Sequence, residues 1–88
     1  MKIVEGFVLR RVGDEFIVSG EGLGQVNLNR MFALNSTAAY LWQQVETVDF
    51  DVKRLADLLV EHYHIDVDVA LSDAGKICDE WLKAGIVK

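Results

Sequence analysis

The sequence predicts an α+β fold, a small antiparallel sheet followed by three helices. Three observations carry this. From Gly6 to Leu34 the apolar residues come in short runs separated by Gly and Asn, the pattern of brief strands and tight turns. From Asn35 onward the apolar spacing changes to i, i+3, i+4 and i+7, the period of a helix with one buried face. Asn35, Asp51 and Asp66 each stand just ahead of such a run, where a short polar side chain can take the hydrogen bond of an otherwise unmatched backbone N–H. Strands gathered first and helices afterwards indicate segregated elements.

Taken in order, FVLRRV and EFIVSG flank Gly13-Asp14 and read as two strands joined by a hairpin turn that needs positive φ. GEGLG follows as a loop. QVNLN alternates, and Asn29-Arg30 reads as either a second tight turn or part of one bent strand running into MFAL. The sheet therefore has three to four short strands. Helix one spans Ser36 to Val45, with Ala38, Leu41, Trp42 and Val45 on its inner face. Helix two follows Asp51, with Val52, Leu55, Ala56, Leu59 and Tyr63 inward. Helix three begins after Asp66 and stops at Gly85, since glycine readily takes the left-handed conformation that ends helices. Three helices beside a small sheet make a winged-helix-like arrangement, one that serves DNA binders and protein binders alike.

Eighty-eight residues fit one domain, 1–88, against the usual roughly 100 to 200 per domain. Half the residues are hydrophobic (51%), enough for a core. One cysteine excludes an internal disulfide and a multi-cysteine zinc site, and the N-terminus lacks a secretory apolar run, so a cytoplasmic location is expected. No apolar stretch nears the ~20 residues of a membrane span. The net charge of -5, with Arg10-Arg11 as the main basic cluster and Lys53-Arg54 as a lesser pair, disfavours nucleic acid, which draws affinity from Lys and Arg on phosphates. A peptide or protein partner is the better expectation.

Each trace of chemistry has a plainer reading. GEGLG is followed by a predicted strand where a phosphate loop opens a helix, and it carries no lysine. His62 and His64 flank Tyr63, and side chains two apart do not share a helix face, so they read as solvated helix-end histidines. A calcium loop started at Asp66 would put Leu71 where Gly is needed and Ile77 where Glu is needed; Asp66 and Asp68 instead suit a helix N-terminus. Cys78 has apolar neighbours and reads as a buried thiol. With no acid, base and nucleophile set together, no metal site and no cofactor, the expectation is a protein that is not an enzyme. Helix three is unusual in carrying two apolar stripes. Ala70, Ala74, Ile77 and Trp81 form a core stripe, while Leu71, Gly75, Cys78 and Leu82 form a second, read either as more core or as a groove wall.

LRRVGDEFIV, NLNRMFALNSTAAYLW, the helix ending EHYHID, and SDAGKICDEWLKAGIV together resemble the PqqD family of peptide chaperones, also called RiPP recognition elements, over about Phe7 to Val87. Its Leu-Asn helix opening falls on Leu34 and Asn35, followed by Thr37, Ala38, Ala39, Leu41 and Trp42; its Tyr-x-aliphatic-Asp on Tyr63 to Asp66; its helix-three Asp on Asp73; its closing Gly-aliphatic-aliphatic on Gly85, Ile86 and Val87. VETVDFD lacks the glycine usual after helix one, and Gly75 stands where a polar helix former is more common. The resemblance implies a non-catalytic module that binds the leader segment of a ribosomally made precursor peptide as an added strand against helix three. It then presents that leader to a modifying enzyme, of radical-SAM or leader-peptidase type. The expected contacts are Val26, Leu28, Met31, Phe32 and Leu34 on the strand side and Leu71, Gly75, Cys78 and Leu82 on the helix. Monomer and weak homodimer both stay open, since a strand edge can pair with itself. The rival readings are a winged-helix DNA-binding regulator, which would need a helix three more basic than one holding Asp68, Asp73, Asp79 and Glu80 against Lys76 and Lys83, and a structural subunit that binds only a folded enzyme.

Overall fold

The hairpin and the helix caps set the architecture. A computed structural model describes residues 1–21 and 31–88. Its elements are β1 (Phe7–Val12), β2 (Glu15–Gly20), β3 (Met31–Leu34), α1 (Ser36–Val45), α2 (Val52–Tyr63) and α3 (Val67–Ala84). The strands form an antiparallel sheet in the order β1-β2-β3, and the three helices follow, which is the expected α+β arrangement. The turn expected at Asn29-Arg30, and with it a fourth strand in QVNLN, lies outside the described residues.

Val12 pairs with Glu15, so only Gly13 and Asp14 make the first turn. The positive φ falls on Gly13 alone, at 63°, in the first turn position, where a hairpin of type II′ takes its glycine. The register then aligns Leu9, Val18 and Phe32 across the three strands. Val18 is wholly buried beneath the helices, and Phe7 and Phe32 meet with ring centroids 6.4 Å apart. Because strand side chains alternate faces, Val8, Val12 and Met31 fall on the opposite, exposed side.

Each helix starts on the expected cap. The side chain of Asn35 accepts from the Ala38 N–H at 2.8 Å, that of Asp51 from the Arg54 N–H at 2.8 Å, and that of Asp66 from the Asp68 N–H at 3.1 Å. Such caps contribute about 1 kcal/mol each. α2 ends on His64, a non-glycine residue at φ 56°, whose N–H donates to the Val60 carbonyl. α3 ends on Gly85 at φ 76°; its N–H reaches the Leu82 carbonyl and that of Ile86 the Trp81 carbonyl, the two bonds of a Schellman stop. Ile86 is thereby turned into the core.

The core lies between the sheet's inner face and the helices. All four residues expected on α1's inner face are buried, as are Leu55, Ala56 and Leu59 of α2, joined by Leu58. Tyr63 differs from expectation: in the last turn of α2 it is exposed, and its ring meets Tyr40 and His62 edge-on instead of entering the core. At the centre Trp42 and Trp81 cross at 80° with centroids 5.5 Å apart, and Phe50 packs edge-on to Trp81 at 6.2 Å. Truncating either indole to Ala would cost on the order of 3–5 kcal/mol. Ile3 bridges to Val87, and backbone bonds between Lys2 and Lys88 and between Val4 and Ile86 tie the two end segments together beside this core.

Candidate functional site

The sharp start of α1 determines where β3 stops. Asn35 takes extended backbone angles (φ -71°, ψ 171°) and caps the helix at once, so the chain leaves the sheet directly after Leu34. Among the described residues β3 stands at the end of the sheet order, paired along one edge with β2. Beyond its other edge a cleft of about 220 Å³ opens between β3 and α3. Phe32, Ala33, Leu34, Asn35 and Ala38 form one wall; Ile77, Glu80, Trp81, Ala84 and Ile86 form the other. A more open trough continues from it past Asn35 and Thr37 on one side and Asp73, Lys76, Ile77 and Glu80 on the other. From Phe32 toward Thr37 the α3 neighbours step back from Ala84 toward Asp73, so β3 and α3 run in roughly opposite senses along the cleft.

Of the contacts expected from sequence, Phe32 and Leu34 line this cleft, partly buried. Met31 is exposed on the sheet's outer face, and Val26 and Leu28 lie outside the described residues. The helix side needs correction. Leu71 and Leu82 are exposed at 42% and 48%, a Cβ at Gly75 would meet nothing within 4 Å beyond its chain neighbours and its own helix backbone, and Cys78 is buried in the core at 2% exposure. None of the four lines the cleft. At about 100° per residue, their stripe sits roughly 120–180° around the helix from Ile77, Glu80 and Ala84. The docking of α3 against α2, which periodicity does not encode, left Ile77, Glu80 and Ala84 facing β3 across the cleft. Trp81 is buried in the core as expected and also borders the cleft, whereas Ile77, expected as plain core, is only half-buried on the cleft wall. Only one sequence signal marked that face: the acids Asp73 and Glu80 are interleaved with Ile77 and Ala84 at helical spacing, a mixture a buried stripe would not carry.

Polar groups near the cleft are few. Among the described residues, Asp73 and Glu80 make no side-chain hydrogen bond and no ion pair within 4 Å. The neighbouring Asp79 holds Lys83 at 2.9 Å, which raises the Lys83 pKa, with a smaller contribution from Glu80. Burial pushes the Cys78 thiol up, so it stays protonated and unreactive. The best-formed ion pair lies away from the cleft. Arg10 donates twice to Glu21, at 2.8 and 2.6 Å, and with the Ser19 hydroxyl holds that carboxyl down to about 2. His62 stacks on Tyr40 with ring centroids 3.9 Å apart. No cluster of His, Cys, Asp or Glu among the described residues is placed to hold a metal ion, and no described helix is long and apolar enough to cross a membrane. The arrangement is one for recognition: a strand edge, an apolar cleft beside it, and a few charges on its rim.

Residues 16–87 match the family model described as coenzyme PQQ synthesis protein D (PqqD). Among solved structures, the fold is similar to TbiB1 in complex with the TbiA(beta) leader peptide, with a TM-score of 0.75 over all of this chain and 95% of that one. Sequence identity is 17%, so this likeness speaks to the fold. No curated protein matches the sequence.

Proposed function

The chain belongs to the PqqD family, and from that premise we propose that it is a non-catalytic chaperone for the leader segment of a ribosomally made precursor peptide. The leader adds as a strand along β3, packs into the cleft against α3, and is presented to a modifying enzyme of radical-SAM or leader-peptidase type. The observation that carries this reading is the coincidence of β3, the last strand of the sheet among the described residues, with a 220 Å³ cleft lined mostly by apolar residues. An added strand gains register and affinity from main-chain hydrogen bonds, while side-chain pockets select sequence. Here Phe32, Leu34, Ile77 and Ala84 offer such a pocket. The similar fold of TbiB1, whose structure contains a leader peptide, supports the same reading.

The experiment is a titration of isotope-labelled protein with the leader of its cognate precursor peptide, followed by amide chemical shifts. Saturable changes should concentrate on Met31–Leu34 and on residues 73–84 of α3. Changes limited to the exposed faces of α1 and α2, or no binding at millimolar leader, would refute strand addition at this site.

A further inference from the structure

The cleft wall supplied by α3 alternates in character. Asp73, Ile77, Glu80 and Ala84 follow at i, i+4, i+7 and i+11, a spacing that keeps them on one helix face, and together they line the cleft and its continuing trough. The opposite wall, from Phe32 to Ala38, brings no charge. Both acids are exposed and make no ion pair within 4 Å among the described residues, whereas Asp79, next to Glu80, holds Lys83, on which Glu80 acts only weakly from farther off. Lys76 on the rim leaves two acids against one base.

Resting on the strand-addition reading above, we propose that the bound segment is cationic: an apolar residue seated over Ile77 with a lysine or arginine next but one to it, facing Asp73 or Glu80. Chain geometry sets the spacing. Along the helix axis Asp73 lies about 6 Å from Ile77 on one side and Glu80 about 4.5 Å on the other, at 1.5 Å per residue. Side chains on one face of an extended peptide repeat every ~6.7 Å, so the next-but-one neighbours of the apolar anchor reach the two carboxylates whichever way the strand runs. The acids do not create the site; they choose among peptides the cleft can hold, since charge across a rim sets specificity more than affinity.

The test uses three fluorescein-labelled dodecapeptides of alternating Val and Thr, identical except for Lys, Gln or Glu at both positions flanking a central Val by two. Binding is read by anisotropy up to millimolar protein and by amide shifts. Affinity should fall in the order Lys, Gln, Glu, with about a tenfold span at low salt, shrinking at 0.5 M NaCl as the charges are screened. The double variant Asp73→Lys, Glu80→Lys should reverse the order. Equal affinities, or preference for Glu, with shifts still on Met31–Leu34, would overturn the cationic preference and leave strand addition standing. Failure of all three peptides to bind, or shifts away from β3, would overturn both.

Discussion

α3 has two apolar flanks that look alike in sequence and differ in the folded protein. One, Leu71, Gly75 and Leu82, faces outward with open space at Gly75. The other, Ile77, Trp81 and Ala84, faces β3 across a cleft and carries acids at its rim. An exposed flank is a surface without shape, since scattered surface leucines are ordinary. A flank facing a strand edge has two walls and a fixed width. The contrast shows that a wide apolar arc announces a surplus of contact but not its use, which depends on how the helix is rotated against the sheet.

The sharpest way to break the comparison is to place a charge on each flank. Ile77→Glu should weaken leader binding tenfold or more, because the new carboxylate loses water when the peptide closes over it, while Leu71→Glu should leave affinity within about twofold. Calorimetric titration of both variants checks this, and equal losses would mean the flanks are not distinct. A smaller effect is expected at the point that positions the cleft's sheet wall. Asn35→Ala removes the bond to the Ala38 N–H and should cost about 1 kcal/mol, seen as a fall of about 4–8 °C in the melting midpoint. Asn35→Asp should keep most of that stability. The smallest change lies on the outward flank: Gly75→Ala meets nothing within 4 Å and should raise stability by up to about 1 kcal/mol through helix propensity without altering affinity. A loss of affinity there would restore Gly75 to the binding surface.

Much of this was legible because it is local. The caps Asn35, Asp51 and Asp66, the stop at Gly85 and the turn at Gly13 depend on hydrogen bonds and φ values within a few residues, and each sits where the sequence puts it. The same holds for α1, whose four-residue inner face is buried throughout. The cleft wall was not legible because it depends on a long-range quantity, the rotation of α3 where it packs on α2. Cys78 shows the difficulty: one helical position shares a stripe with exposed Leu71 and Leu82 yet lies in the core. Tyr63 fails in the other direction, fitting the helical period of α2 but lying exposed in its last turn against Tyr40.

The crossed indoles have an optical consequence. The chain has two tryptophans, and they are in contact: Trp42 is fully buried, while Trp81, 5.5 Å away and at 80°, also forms part of the cleft wall. Trp42 Nε1 has no hydrogen-bond acceptor among the described residues, so its excited state relaxes in apolar surroundings and its emission stays at short wavelength. Two transition dipoles held this close also couple, giving a near-ultraviolet circular dichroism signal that depends on fixed packing. Occupation of the cleft alters the surroundings of Trp81 and, through the pair, the colour and intensity of the protein's own fluorescence, so an unlabelled protein carries its own reporter of whatever enters.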